Sequence, residues 1–179
     1  MENQQEYEYL FKCVLMGDGG VGKSTMLQRL ITGEFMPMKM TIGADFQNYT
    51  VSMDNKVVRL QIWDFSGQEH FRFFLGNYCQ GASGVLLCYD ITRFSTFKNI
   101  ENWYDLAKEN TDNPIFILIG EKNDLEEYRS VSREAGESLK EDLGLKYFFE
   151  TSSKSGINNK KIFEKLAEAI LERKKTIEY

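Results

Sequence analysis

Short apolar runs alternate along the chain with longer segments in which apolar residues recur at helical spacing. The short runs indicate strands, two of them joined by a hairpin turn at Asp54-Asn55. The predicted strands are Tyr9–Met16, Ala44–Met53, Lys56–Asp64, Gly84–Asp90, Pro114–Gly120 and Leu145–Glu150. The longer segments predict helices at Gly22–Ile31, Phe94–Asn110, Ser132–Leu143 and Gly156–Lys175.

The order of these elements predicts the fold class. Strands that alternate with helices form a mostly parallel sheet with helices on both faces, and the hairpin adds one antiparallel edge strand. The sequence therefore predicts an α/β fold with a six-stranded sheet. Its 179 residues suit one domain, with residues 1–8 as an extension, 9–175 as the folded domain and 176–179 as a tail.

A glycine-rich segment, GDGGVGKS at Gly17–Ser24, lies between the first predicted strand and the first predicted helix. It matches the pattern G-x-x-x-x-G-K-[ST], in which backbone N–H groups turn inward around phosphates. The helix N-terminus adds a favourable dipole, Lys23 reaches the β- and γ-phosphates, and the Ser24 hydroxyl ligates Mg²⁺. The alternative is a glycine-rich turn that only resembles the motif. The segment predicts a nucleotide site without distinguishing GTP from ATP.

Four further segments occur in the order found in one protein family. They are TIGADF (Thr41–Phe46), LQIWDFSGQEHFR (Leu60–Arg72), YDIT (Tyr89–Thr92) and ETSSK (Glu150–Lys154). Together with the glycine-rich segment, they resemble the Ras superfamily of small GTPases, and most closely its Rab-type branch. The resemblance runs from about Leu10 to Leu171. It implies the small G-domain form of the P-loop fold.

The resemblance implies roles around the terminal phosphate of GTP. Thr41 matches the threonine that senses this phosphate through Mg²⁺, and Asp64 matches a carboxylate that holds Mg²⁺ through a water. Gly67 matches the glycine whose N–H meets the phosphate, and Gln68 the residue that orients the attacking water. Gly19 leaves room beside the phosphate for an arginine from another protein. No arginine of this chain is expected to act in cis. The implied catalytic residues are Gln68, Lys23 and Gly67, and the implied metal ligands are Ser24, Thr41 and Asp64.

The resemblance also implies how the base is recognised. Phe35 matches an aromatic ring edge against guanine, and a core or surface role is its alternative. Lys122 would lay its alkyl stem along the base. Asp124 accepts from guanine N1–H and the exocyclic amine, a donor pair that adenine lacks, and the N–H of Ser153 would meet guanine O6. The full implied set is Gly17, Asp18, Gly19, Gly20, Val21, Gly22, Lys23, Ser24, Thr25, Phe35, Thr41, Gly67, Lys122, Asp124, Ser152, Ser153 and Lys154.

One position departs from the family, which has asparagine where this chain has Glu121. Asparagine donates and accepts hydrogen bonds, whereas an ionised carboxylate only accepts and brings negative charge towards the nucleotide. We expect weaker or faster-exchanging nucleotide with guanine specificity kept. The alternative is that Glu121 points to solvent and a backbone group replaces the amide. Phe65-Ser66 also replaces the usual Thr-Ala, and the first switch is about one residue shorter than is typical.

The resemblance implies protein partners: effectors, an exchange factor and an activating protein. Effectors would bind the switch segments Thr41–Phe46 and Phe65–Tyr78, with Phe46, Trp63 and Tyr78 matching an aromatic triad of Rab proteins. His70 is interpreted as a surface or partner contact. The last residues contain no cysteine for a direct lipid anchor. Either the protein is soluble or a lipid-bearing tail lies outside this sequence.

Composition narrows the compartment and the partners. A formal net charge of −5, from 27 acidic and 22 basic residues, argues against nucleic acid as the main partner. The three scattered cysteines predict buried free thiols in a reducing compartment, and the polar N-terminus is not a secretory signal. The sequence therefore predicts a cytoplasmic protein that reaches membranes only through partners or an additional tail.

Three function classes remain open from the sequence. The favoured one is a GTP/GDP switch with slow intrinsic hydrolysis, in which Thr41 and Gly67 release the switch segments on phosphate loss. The second is a pseudo-GTPase that holds nucleotide without turnover, to which Glu121 and Phe65-Ser66 lend some weight. The third is an ATP-using P-loop kinase, disfavoured by Asp124 and by the lack of an arginine-bearing lid.

Overall fold

The fold is seen in a computed structural model, which describes residues 6–39, 41–53, 55–67 and 72–177, except the side chains at 72 and 73. The strands are β1 (Tyr9–Met16), β2 (Ala44–Met53), β3 (Lys56–Phe65), β4 (Gly84–Asp90), β5 (Ile115–Glu121) and β6 (Tyr147–Glu150). The helices are α1 (Lys23–Thr32), α2 (Arg72–Cys79), α3 (Phe94–Lys98), α4 (Ile100–Asn110), α5 (Arg133–Asp142) and α6 (Asn159–Ile177), with a 3₁₀ helix at Asn123–Tyr128.

The six strands form one sheet in the order β2-β3-β1-β4-β5-β6. β2 pairs with β3 antiparallel, and every other neighbouring pair is parallel. The predicted α/β fold with one antiparallel edge strand is therefore confirmed. None of the described helices combines the length and apolar character needed to cross a membrane.

Two apolar clusters fill the two faces of the sheet. Met26 and Leu27 of α1 pack with Ile162, Phe163 and other residues of α6 on one face. Residues of α2, α4 and α5 pack on the other face against Val14, Val85, Leu87 and Leu118. Alternate residues of a strand point to opposite faces, so each central strand contributes to both clusters. All seven residues of β4 are buried, which explains its continuous apolar run.

The structure differs from the sequence-based expectation at three helical segments. The helix predicted over Phe94–Asn110 is interrupted at Asn99, whose backbone N–H bonds to Ser95 and Phe97 carbonyls. The Asn99 side chain donates to Asp18 at 2.6 Å, a contact that periodicity along the chain does not encode. The helix α2 and the 3₁₀ helix were not predicted.

The parallel strands place several loops at one edge of the sheet. β1, β3, β4, β5 and β6 all run in the same direction, so their carboxyl ends lie along that edge. The amino end of the antiparallel strand β2 lies there too, with Ala44 opposite Phe65. Ligands of open α/β sheets bind outside the carboxyl ends of the strands. The glycine-rich segment follows β1 at this edge.

Candidate nucleotide site

A cavity of about 540 Å³ opens at the carboxyl edge of the sheet. Its size falls in the range that holds small ligands. Its walls come from the segment after β1, the loop before β2, the end of β3, and the loops after β5 and β6. The lining residues are Gly19, Gly20, Gly22, Lys23, Ser24, Thr25, Phe35, Pro37, Met38, Lys39, Thr41, Phe65, Gly67, Lys122, Asp124, Leu125, Ser153 and Lys154.

The first turn of α1 faces this cavity. Gly22 precedes α1 in the left-handed region, with a φ of 118°, and supplies no side-chain cap. The first N–H groups of a helix have no intrahelical acceptor and favour an anion. Met26 N–H closes the first turn onto the Gly22 carbonyl. The helix therefore begins at the cavity with its N–H donors available for a bound anion.

Lys23 lies buried beneath the glycine-rich segment, with 5% of its surface exposed. Its ammonium donates to the carbonyls of Gly17 at 2.7 Å and Asp18 at 3.0 Å. Burial lowers the pKa of this lysine, although the charges of Asp64 and Asp18 oppose the shift. A polyphosphate in the cavity would supply negative charge close to this cation. The ammonium is thus positioned for an anion.

Three hydrogen bonds that sequence reasoning missed hold the glycine-rich segment from outside the cavity. The Asp18 carboxylate accepts from the Asn99 amide at 2.6 Å and the Trp103 indole at 2.8 Å. Its side chain therefore faces α4. Arg93 donates to the Gly19 carbonyl at 3.0 Å. Arg93 is not among the residues that line the cavity.

Three oxygen-bearing side chains converge beside Lys23. The Ser24 hydroxyl contacts both the Thr41 hydroxyl and the Asp64 carboxylate, and Thr41 Oγ1 lies 3.4 Å from Asp64 Oδ2. Burial raises the pKa of Asp64 against the hydrogen bonds from Ser24 and Thr41 and the charge of Lys23. Asp64 Oδ1 is buried and accepts no hydrogen bond within the described part of the chain.

This trio fits a magnesium ion. Hydroxyl and carboxylate oxygens are the hard ligands that Mg²⁺ prefers, and a cation would compensate the buried, partly unsatisfied carboxylate. Among residues 6–39, 41–53, 55–67 and 72–177, no cluster of three or more His, Cys, Asp or Glu side chains offers an alternative metal site. The three oxygens are therefore the candidate ligand set.

Gly67 closes the same end of the cavity. A Cβ atom at this position would lie 2.3 Å from Asp18 C and Gly19 N and 2.6 Å from the Gly17 carbonyl oxygen. Such distances are far below van der Waals contact, so the segment after β3 approaches the glycine-rich segment as closely as only glycine permits. Gln68, the other implied catalytic residue of this segment, lies outside the described residues, as does His70.

The opposite end of the cavity is lined by Asp124, Lys122, Ser153 and Lys154. Asp124 Oδ1 accepts from the buried Ser152 hydroxyl at 2.6 Å. Lys122 donates to the Gly20 carbonyl at 2.9 Å and pairs with the buried Asp90 at 2.7 Å. Burial would raise the pKa of Asp90, but the ion pair with Lys122 and the hydrogen bonds from Thr92 lower it. The hydrogen bond from Ser152 thus holds the Asp124 carboxylate in one orientation at the cavity wall.

Glu121 is buried beneath the glycine-rich segment with 1% exposure. This corrects the alternative that it points to solvent. Its carboxyl lies so close to Gly22 that a Cβ there would be 3.3 Å from Glu121 Oε2. Burial raises the pKa of Glu121 well above its usual range, although Lys122 opposes the shift. The low-dielectric surroundings thus favour the neutral acid over the ionised form considered from the sequence.

The cavity brings together most of the residues that sequence analysis singled out. Among the seventeen implied nucleotide-binding residues, Gly17, Asp18, Val21 and Ser152 are not in the cavity lining. Ser152 instead supports Asp124. The lining residues that sequence reasoning missed are Pro37, Met38, Lys39, Phe65 and Leu125. The sequence signal that could have found them is their position in the chain, because residues 37–39 follow Phe35, Phe65 follows Asp64 and Leu125 follows Asp124.

The aromatic residues implied as a partner surface form one contiguous group. The Trp63 ring lies 4.9 Å from Phe46 and 5.8 Å from Tyr78, measured between ring centroids. Phe46 and Tyr78 are exposed, and Phe74 and Ile42 are exposed nearby in the chain. The Lys12 ammonium lies 5.1 Å from the centroid of the Trp63 ring. Exposed rings of this kind are enriched in protein interfaces.

Replacing Ser152 by alanine is expected to weaken GDP binding about 3- to 10-fold. The change removes the hydroxyl that orients Asp124, and a hydrogen bond to a charged group contributes about 1 kcal/mol or more. ADP binding should change much less, so the GDP-over-ADP preference falls. Fluorescence titration with both nucleotides measures the ratio. Ser138→Ala, at an exposed position of α5, is the control, and an unchanged ratio for Ser152→Ala would contradict the assignment.

Comparison with known proteins identifies the family. Residues 12–172 match the model of the Ras family. The chain is 47% identical over 165 residues to the Ras-related protein RABA5c of Arabidopsis thaliana, which covers 91% of this chain and 77% of the relative. It is 45% identical over 161 residues to the Ras-related protein Rab2BV of Beta vulgaris, with 89% and 75% covered. It is 42% identical over 172 residues to the GTP-binding protein ypt2 of Schizosaccharomyces pombe, with 95% and 86% covered. The chain therefore belongs to the Ras family of small GTPases, and within it to the Rab-type branch.

Proposed function

We propose that this protein binds GTP and GDP with Mg²⁺ and acts as a molecular switch with slow intrinsic GTP hydrolysis. The observation that carries the proposal is the convergence of Ser24, Thr41 and Asp64 beside the Lys23 ammonium, at one end of a cavity whose other end presents Asp124. The first end suits a metal-bound polyphosphate. The second suits a base that donates two hydrogen bonds.

Guanine selection rests on Asp124. Its carboxylate accepts hydrogen bonds from N1–H and the exocyclic amine of guanine, whereas adenine would leave it unpaired at high cost. The Ser152 hydroxyl holds one carboxylate oxygen. The cavity wall beside it is formed by Ser153, Lys154 and the Lys122 side chain, with Phe35 also in the lining. These residues support recognition of the base.

Hydrolysis would depend on positioning and on charge rather than on a strong base. Lys23 neutralises charge on the phosphates, and the N–H of Gly67 meets the terminal phosphate. Gln68 orients the attacking water. When bound by Ser24, Thr41 and Asp64, Mg²⁺ supplies compensation for charge that develops on the phosphate oxygens. Loss of the terminal phosphate removes the contacts of Thr41 and Gly67 and releases both switch segments.

Chromatography of the nucleotide that copurifies with the protein tests the binding proposal. We expect the bound nucleotide to be GDP or GTP. EDTA should release it, because EDTA removes the Mg²⁺ that the metal ligands hold. Competition should show GDP displacing labelled GDP and ATP failing to do so, even at a large excess. A protein that binds no guanine nucleotide, or prefers ATP, would contradict the proposal.

Single-turnover hydrolysis of preloaded GTP separates a switch enzyme from a pseudo-GTPase. We expect hydrolysis with a half-life on the order of tens of minutes, as for related GTPases without an activating partner. Gln68→Leu should slow it by at least about ten-fold, because leucine cannot orient the water. GDP affinity should stay unchanged in this variant. Wild-type protein that retains GTP for many hours would favour the pseudo-GTPase alternative.

State-dependent partner binding follows from this switch. We place the partner surface on the group formed by Phe46, Trp63 and Tyr78, together with the segments Thr41–Phe46 and Phe65–Tyr78. The group joins the two segments, because Trp63 contacts the rings at 46 and 78. A change at Thr41 or Gly67 therefore reaches an exposed aromatic surface over a short distance. Effectors, an exchange factor and an activating protein are the expected partners, and the cytoplasmic location remains a prediction.

A further inference from the structure

We propose that Glu121 is a positioning residue that supports nucleotide retention only as the neutral acid, so that GDP release accelerates as pH rises. The proposal rests on the proposed guanine-nucleotide function. It concerns the position where the family has asparagine. A neutral carboxylic acid, like an amide, can both donate and accept a hydrogen bond, whereas a carboxylate only accepts.

The carboxyl group of Glu121 lies in an unusually closed place. Gly22, whose missing side chain leaves room for it, separates it from the first turn of α1. Its Oε1 is buried and finds no hydrogen-bond partner among the residues that the structure describes. Burial raises the pKa of this group, and the backbone N–H and the charge of Lys122 oppose the rise. Oε1 therefore accepts no hydrogen bond within the described part of the chain. A proton on the carboxyl group would remove the cost of a buried, unpaired negative charge.

Charged neighbours on every adjoining element favour the neutral form on balance. β4 contributes the buried thiol of Cys88 and the carboxylate of Asp90, which is ionised and paired with Lys122. Asp124 adds a second negative charge from the loop after β5. On β6, Glu150 lies opposite Gly120 but is neutralised by Arg129 at 2.7 Å. Among the cations, Lys122 opposes the rise in the pKa of Glu121 but is engaged by Asp90 at 2.7 Å, and Arg93 pairs with Asp90 as well, at 3.2 Å.

Ionised Glu121 would place an anion directly behind the segment that must hold a polyphosphate. Bound nucleotide adds further negative charge in front of the same segment. The nucleotide-bound protein therefore holds the proton on Glu121 more tightly than the nucleotide-free protein does. Because the nucleotide-bound protein binds more protons, the affinity for nucleotide is highest at low pH. This affinity falls as the pH rises past the pKa of Glu121 in the nucleotide-free protein.

Dissociation of fluorescent N-methylanthraniloyl-GDP in the presence of Mg²⁺, followed from pH 5.5 to 8.5, tests the inference. In the wild type we expect the rate to rise by about ten-fold or more, since each unit of difference between the bound and free pKa gives a ten-fold change. Glu121→Gln, a neutral group of the same shape, should show the slow rate of the low-pH wild type at every pH. Glu127→Gln, at an exposed position, should keep the wild-type profile.

Parallel profiles of the wild type and Glu121→Gln would overturn the inference, as would a Gln variant that is fast throughout. Calorimetric titration of wild-type protein with GDP, in buffers of different ionisation enthalpy, covers the case in which the variant does not fold. We expect net proton uptake in the upper half of the pH range, and zero uptake or proton release would overturn the inference. Protein that binds no GDP at any pH would instead contradict the proposed function itself.

Discussion

Lys23→Met is expected to lower the affinity for GDP by about 30-fold to several thousand-fold. Methionine keeps the length of the side chain and removes the ammonium. Truncating one partner of a buried charge pair costs about 2 to 5 kcal/mol, and Lys23 is buried against the Gly17 and Asp18 carbonyls at the cavity wall. Equilibrium titration with labelled GDP in Mg²⁺ measures the loss.

The stability of the nucleotide-free protein separates this effect from a folding defect. Burial lowers the pKa of Lys23 because the charged form is disfavoured there, so removing the charge should leave the melting temperature of the EDTA-stripped variant unchanged or higher. Lys161→Met, at an exposed position of α6, removes the same charge far along the chain and should bind GDP as the wild type does. GDP affinity of Lys23→Met within about three-fold of the wild type would contradict the role assigned to Lys23.

Gly67→Ala is expected to slow single-turnover GTP hydrolysis by about 100-fold, since a misplacement of about 1 Å at a reacting centre has that effect. The added Cβ would lie 2.3 Å from two backbone atoms of residues 18 and 19, so the segment after β3 must move away from the glycine-rich segment. The backbone N–H of residue 67 then no longer reaches the terminal phosphate. Quench-flow or phosphate-release assays on preloaded protein give the rate.

GDP binding by the same variant provides the internal control. GDP has no terminal phosphate, so its affinity for Gly67→Ala should stay within about three-fold of the wild type. Gly19→Ala adds a methyl group across the same contact, where the nearest atom is 3.9 Å away. It should therefore fold normally. Wild-type hydrolysis by Gly67→Ala would show that the close approach of Gly67 is not required.

Much of the fold could be predicted because its signals are local. The bounds of β1, β2 and β4 agree with the predicted strands at both ends, since continuous or alternating apolar positions mark buried strands directly. Ser132, at which this helix was predicted to begin, caps α5 and accepts a hydrogen bond from Ala135 N–H at 3.1 Å. The interruption at Asn99 and the helix α2 escaped prediction, because both depend on packing against other elements.

The candidate site shows the same division. The motif residues of the phosphate end were predictable, because the glycines, the lysine and the serine must stand in one register between a strand and a helix. The contacts that hold this segment in place from outside could not be predicted. Asn99 and Arg93 reach the segment from 81 and 74 residues away in the chain, and no short pattern connects them to it.

The order of residues by itself determined the strand and helix pattern, the fold class, the family and the positions that surround the cavity. Only the tertiary structure decided that Ser152 holds Asp124, that Gly67 touches the glycine-rich segment, and that Glu121 is enclosed. Periodicity and motif spacing are properties of neighbouring residues, so they can be read along the chain. The protonation of a carboxyl group depends instead on how much water and charge surround it, and those surroundings are assembled from distant elements only when the chain folds.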